Sequence, residues 1–114
     1  MRVVLDTNVI LRAISSRSQF AIIIDKLFSN EFELLISSEI LLEYEEILTK
    51  FYGILTAKSF LDFLLLLPNV TKISPSFKLN LILKDPDDNK FIDCAFAGNA
   101  TYIVTDDRHF NILP

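Results

Sequence analysis

The sequence predicts an α/β domain built on a central parallel sheet of about four strands flanked by helices, and three observations carry that prediction. Four short runs read as strands: Val3 to Leu5, Glu33 to Ile36, Val70 to Ile73 and Tyr102 to Thr105. Stretches with helical patterning lie between them, and strands that alternate with helices form parallel sheets covered on both faces. The runs "RVVL" and "YIVT" are continuously apolar rather than alternating, as strands buried on both faces are.

Each helix has its own signal. In "SQFAIIIDKLF", Phe20, Ile23, Ile24 and Leu27 recur at helical spacing. "SSEILLEYEEILTKF" opens with Ser37 and Ser38 as candidate N-caps and has Glu39 in its first turn. "TAKSFLDFLLLL" is stopped by Pro68 and Asn69. A last helix is expected from about Asp88 to Ala97, ended by Gly98 and Asn99 in the manner of a left-handed cap.

The third of these stretches carries Phe60, Leu61, Phe63, Leu64, Leu65, Leu66 and Leu67. So many large apolar residues cannot all face one core, because consecutive residues are spread around the whole circumference of a helix. Either the helix is buried on every side, or part of it docks on a second subunit. In a domain this small the second reading is favoured, so a homodimer is expected.

The totals set the frame. The 114 residues suit one domain over 1–114, with no internal repeat, low-complexity tract or linker. Hydrophobic residues make up 51% and the mean hydropathy is +0.39, which is enough for a core and for surface buried against another chain. Apolar stretches such as Phe63 to Leu67 fall far short of the ~20 residues a membrane span needs. The chain shows no secretory signal, and its single cysteine, Cys94, allows no internal disulfide; a reducing cytoplasm fits. A nucleophilic Cys94 would need an activating base, and His109 is the one histidine, so buried filler is the favoured reading.

Net charge is −4 and the isoelectric point about 4.8, which argues against a binder that works by neutralising phosphates with its own basic residues. The distribution says more. Asp85, Asp87, Asp88, Asp93, Asp106 and Asp107 fall between positions 85 and 107. A solvated acidic face is the ordinary explanation. Carboxylates gathered for a divalent cation are the sharper one, because the ion reverses the local charge and can hold phosphate there.

Ligands of parallel α/β sheets bind at the carboxyl ends of the strands. Asp6 follows the first strand directly, and Asp106 and Asp107 follow the last. Glu43 lies in the second helical stretch, and Asp88 stands near the start of the last helix. Each has a bland reading: an Asx-turn for Asp6, a solvated helix residue for Glu43, an N-cap for Asp88. Asp93 is rotated by about 140° from Asp88 at 100° per residue, so the two do not easily share a pocket. Coincidence changes the weighing. Four segments each bring a carboxylate to one end of the expected sheet. Crowded like charges are costly without a cation, and Mg²⁺ or Mn²⁺ suits an all-oxygen site.

Three stretches together, "VVLDTNVIL", "SSEILLEYEEIL" and "DPDDNKFIDCAFAGNATYIVTDDRHF", resemble the PIN domain, the metal-dependent ribonuclease fold of VapC-like toxins. The resemblance covers essentially the whole chain in the right order. It implies a three-layer sandwich and an acidic cluster of Asp6, Glu43, Asp88 and Asp107 that holds Mg²⁺ or Mn²⁺. Thr105 matches the hydroxyl residue that precedes the last acid by two, and Thr7 and Asn8 would help order the first loop. Many relatives continue beyond the point matching Pro114 to one more edge strand, and they often carry another residue at the position of Asp106. Side chains alternate along extended chain, so Thr105 and Asp107 share a side. Asp107 is therefore the expected metal-side acid, and Asp106 a loop or supporting residue.

The implied reaction is hydrolysis of an RNA phosphodiester, with a small antitoxin protein as a further implied partner. Arg12, Arg17, Lys50, Lys90 and Arg108 could border the groove, although ordinary surface placement is favoured for each, as it is for His109. A phosphatase with an Asp nucleophile would want a second acid two residues on, and Asp6-Thr7-Asn8 lacks it. A response-regulator receiver would want paired acids after the first strand and a lysine after the last, and neither is here. The rival from another class is a catalytically weak PIN-like interaction module, against which the four acids argue.

Overall fold

Strands form where the sequence is apolar and β-branched, and helices where it is periodic. The computed structural model describes residues 1–15, 21–74 and 89–105. Strands β1 (Arg2–Leu5), β2 (Glu33–Ile36), β3 (Val70–Lys72) and β4 (Tyr102–Val104) make one sheet in the order β3-β2-β1-β4. Every neighbouring pair is parallel. Among the described residues five helices flank it: α1 (Thr7–Ala13), α2 (Ala21–Phe28), α3 (Ser38–Tyr52), α4 (Ile54–Leu66) and α5 (Asn89–Ala97). This is the α/β sandwich that the sequence predicts.

The strand order positions the site. From β1 the chain steps one way through β2 to β3, then returns to the other side of β1 for β4. Helix α3 packs against α1 and α4, and α5 packs on β1, β2 and β4. The point where the order reverses lies between β1 and β4, and it is there, in the crevice at the carboxyl ends of the strands, that sheets of this kind bind their ligands. Val4, Leu5, Leu34, Leu35 and Ile36 are fully buried in the middle of the sheet, as two-sided coverage requires.

Helix α1 departs from the expectation. Thr7 and Asn8, expected to order a loop, are its first two residues, and Asp6 is its N-cap. Its three β-branched residues, Thr7, Val9 and Ile10, continue the apolar run of β1 and hide the helical period. Tertiary packing decides the matter: Thr7, Val9, Ile10 and Ala13 are all buried on one side of the helix.

Three helix ends use special backbone. Gly53 joins α3 to α4 alone, serving as C-cap of one and N-cap of the other at φ 90 and ψ 161, a region open essentially to glycine. Helices α2 and α5 both end with an asparagine in the left-handed conformation, Asn30 at φ 61 and Asn99 at φ 53. After each, the next amide reaches back five residues, Glu31 to the Lys26 carbonyl and Ala100 to that of Ala95. That is the Schellman arrangement.

Of the pair expected to cap α5, Asn99 takes the left-handed place, and Gly98 is needed for space. A Cβ at Gly98 would stand 2.7 Å from Leu35 Cδ1, 3.1 Å from Ile73 Cγ1 and 3.2 Å from the Cys94 carbonyl oxygen. Leu35 is fully buried and cannot yield without disturbing the sheet. Gly98→Ala is therefore expected to destabilise the protein by about 1–3 kcal/mol. Urea denaturation checks this, and an unchanged midpoint would mean that α5 has room to lift from the sheet.

Helix α4 resolves half of its ambiguity. Ala57, Leu61 and Leu64 are buried, while Ile54, Leu55, Phe63, Leu65 and Leu66 are exposed. Among the described residues, nothing encloses this side of the helix. Phe63 stacks edge-on against Phe28 of α2, with ring centroids 5.0 Å apart. An open apolar groove of about 550 Å³ runs beside them, lined by Ile14, Leu55 and Phe60 among others.

Candidate active site

Asp6 ends β1 at the crevice. Its amide donates to the Val104 carbonyl at 3.0 Å, which extends the β1–β4 pairing by one residue and fixes its backbone. An aspartate at an N-cap ordinarily turns its carboxylate onto the first amides of the helix. Asp6 makes no such cap bond. Instead its Oδ2 accepts from the Thr105 hydroxyl at 2.7 Å, across the gap between the two strand ends. The residue is 5% exposed, so neither the Asx-turn nor the simple cap accounts for it.

Glu43 meets the neighbouring residue. Helix α3 starts at the same edge because Ser37, the N-cap, accepts from the Ile40 amide immediately after β2. Glu43 then lies on the side of α3 that faces α1 and α5. Its Oε2 accepts from the Thr7 hydroxyl. Its Oε1 accepts from Lys90 Nζ at 2.6 Å. Helices α1, α3 and α5 are thus tied together by one carboxylate. The Glu43 side chain is 27% exposed and that of Lys90 15%, so neither is the solvated surface residue of the ordinary reading.

Tyr44 braces the pair from beneath. It is fully buried, and its hydroxyl donates to the carbonyl of Leu5, the residue before Asp6. Burial raises its pKa well above the usual tyrosine value, and the neighbouring Cys94, Asp6 and Glu43 raise it further. Both carboxylates therefore act on one phenol. The sequence offers one faint sign of this role: a tyrosine among glutamates on the strip of α3 that also carries Ile40 and Leu48. Cys94, expected as filler, is buried, and burial pushes its thiol up to about 12, which leaves it inert.

Of the other expected site residues, Asn8 is exposed in the first turn of α1, while Asp88, Asp106 and Asp107 lie outside the described residues. So do Arg17, Arg108 and His109. Asp93, one turn into α5, is buried and lines a cavity of about 180 Å³ with Ser37, Glu39, Ser74 and Lys90. Lys90 thus belongs both to the ion pair with Glu43 and to the wall of this cavity.

Among the described residues no three His, Cys, Asp or Glu side chains form a metal cluster. The donors at the crevice are nonetheless of one chemistry: carboxylate oxygens of Asp6 and Glu43 and hydroxyls of Thr7 and Thr105. An all-oxygen set fits Mg²⁺ or Mn²⁺ and not a soft ion.

In parallel α/β domains ligands bind at the topological switch point, and a divalent ion held there by carboxylates can in turn hold a phosphate. The sequence profile of the PIN domain matches residues 2–109, and the chain belongs to the PIN domain family. A solved structure of VapBC2 from Rickettsia felis, bound to a DNA fragment from its promoter, superposes with a TM-score of 0.69. The similarity covers 100% of this chain and 94% of that one at 24% identity, a likeness of fold. A comparison with curated protein sequences finds no match.

Proposed function

We propose that the chain is a divalent-metal-dependent ribonuclease that hydrolyses RNA phosphodiester bonds, and that it is the toxin of a toxin–antitoxin pair. The observation that supports this reading is that Glu43 of α3 meets Thr7, the residue after Asp6, while Asp6 meets Thr105 just beyond β4, at the switch point of a PIN domain. PIN domains are generally nucleases that depend on a divalent metal. In this reading Asp6, Glu43, Asp88 and Asp107 hold Mg²⁺ or Mn²⁺, with Thr7, Asn8, Thr105 and Asp106 in support.

A divalent ion supplies positive charge for the attacked phosphate and lowers the pKa of water. The chain's own residues do the positioning. Thr105 sets the rotamer of Asp6, Thr7 sets that of Glu43, and Tyr44 ties the end of β1 to α3. The acidic isoelectric point is compatible with an RNA substrate because the ion provides the attraction.

An antitoxin and a second copy of the chain are the proposed protein partners, and the exposed apolar side of α4 with the groove beside Phe28 supports them. Among the described residues no helix is long and apolar enough to cross a membrane. The cytoplasm is the proposed compartment. The same apolar surface favours a second reading, a catalytically weak PIN module that works by docking.

Metal titration and RNA cleavage separate the two. A ligand bound only by the native state adds about 2.7 kcal/mol at a hundredfold excess over Kd, so Mn²⁺ is expected to raise the melting temperature relative to chelator. Single-stranded RNA is expected to be cut with Mn²⁺ and left intact with chelator. Equal melting midpoints across a wide Mn²⁺ range, with no cleavage, would leave the docking module.

A further inference from the structure

We propose that Lys90 is a built-in counter-cation of the acidic site, which occupies Glu43 in the metal-free protein and has to leave it when a divalent ion binds. The proposal rests on the metal-binding reading of Asp6 and Glu43 above. Four observations carry it.

The ammonium stands 2.6 Å from Glu43 Oε1, a direct charge-assisted contact. Lys90 is the second residue of α5, rooted in a buried stretch: Asn89, Phe91 and Ile92 around it are 8%, 0% and 3% exposed. Its position is therefore set by the fold and not by chance on a mobile surface. The other oxygen of Glu43 is engaged by a neutral donor, the Thr7 hydroxyl. A hydroxyl can share a carboxylate with a metal ion. An ammonium cannot share one oxygen with a divalent cation without strong repulsion.

The fourth observation is where the ammonium can go. Lys90 also lines the 180 Å³ cavity, whose wall includes Glu39 and Asp93. A rotation of the flexible lysine stem carries the charge from Glu43 into this space, where Glu39, Asp93 and serine hydroxyls are among the lining groups. The side chain thus has two seats, and the ion decides between them. Metal affinity is set lower than the carboxylates alone would give, because each binding event has to break this ion pair.

Mn²⁺ titration calorimetry and melting curves test the idea on three proteins: wild type, Lys90→Gln and Lys90→Arg. Gln keeps much of the stem and removes the charge. It is expected to bind Mn²⁺ about tenfold more tightly, the scale of one neighbouring unit charge in partly screened surroundings. Arg keeps the charge and is expected to stay within about threefold of wild type. In chelator, Lys90→Gln is expected to melt below wild type, and adding Glu43→Gln is expected to recover the loss, since the unpaired carboxylate is then gone. A merely structural lysine would give the lower melting point without the tighter binding.

Unchanged or weaker Mn²⁺ binding by Lys90→Gln overturns the proposal while leaving the metal site standing. A wild type that binds no Mn²⁺ overturns both. If Lys90→Gln does not fold, Lys90→Met is measured in its place and read by the same two outcomes.

Discussion

Asp6→Asn is expected to lower Mn²⁺-dependent RNA cleavage by roughly a hundredfold or more, since loss of a residue that merely supports a metal ligand already costs about 10–100-fold. Asn preserves the shape and can still accept the Thr105 hydroxyl, so the β1–β4 junction is kept. Only the charge goes. The fold in chelator is expected to be at least as stable as wild type, because a 5% exposed carboxylate carries a desolvation cost that a neutral amide does not. Cleavage assays read the first effect and urea midpoints in chelator the second. Cleavage within tenfold of wild type, from a variant that folds normally, would remove Asp6 from the metal site.

Phe91→Ala is expected to cost about 3–5 kcal/mol, the scale of truncating a fully buried aromatic and a large fraction of the 5–15 kcal/mol that holds a typical domain. Phe91 is 0% exposed and anchors α5, the helix that contacts β1, β2 and β4. Two readouts should move together. Denaturation should shift to much lower urea, and Mn²⁺ affinity should change as well, because Lys90 reaches Glu43 only while α5 lies flat on the sheet. A large loss of stability with unaltered metal binding would mean that the site is independent of how α5 packs.

Much of this fold is legible in the sequence, and the reasons differ by element. All four strands fall within one residue of their expected limits, because a strand buried on both faces has little choice but continuous Val, Leu and Ile. Helix α3 is equally plain, since Ser37 caps it and Gly53 ends it. Helix α1 is hidden because seven residues rich in β-branched side chains give no clear period.

At the site, the types of residue are visible and their partners are not. Asp6 and Glu43 stand out as acids in suitable elements. That Thr7 reaches Glu43, that Tyr44 supports Leu5, and that Lys90 is drawn inward are facts of side chains 36 to 47 residues apart, or of one phenol under one carbonyl. No local pattern encodes them. Lys90 could have been suspected from its place in the buried first half of α5, between Asn89 and Phe91, where a lysine has little solvent to enter.

The pairing of Asp6 with Thr105 spans 99 residues, and it has a consequence for synthesis. A ribosome delivers β1 well before β4, so a growing chain carries Asp6 and Glu43 long before it has Lys90 or Thr105 to hold them. Until Tyr102 to Val104 emerge and pair with Val3 to Leu5, the switch point has only one wall. Closing so long a loop is also among the slower steps a small domain can require. The acids therefore come under control of their partners only once Tyr102 to Thr105 have been made and have paired with β1.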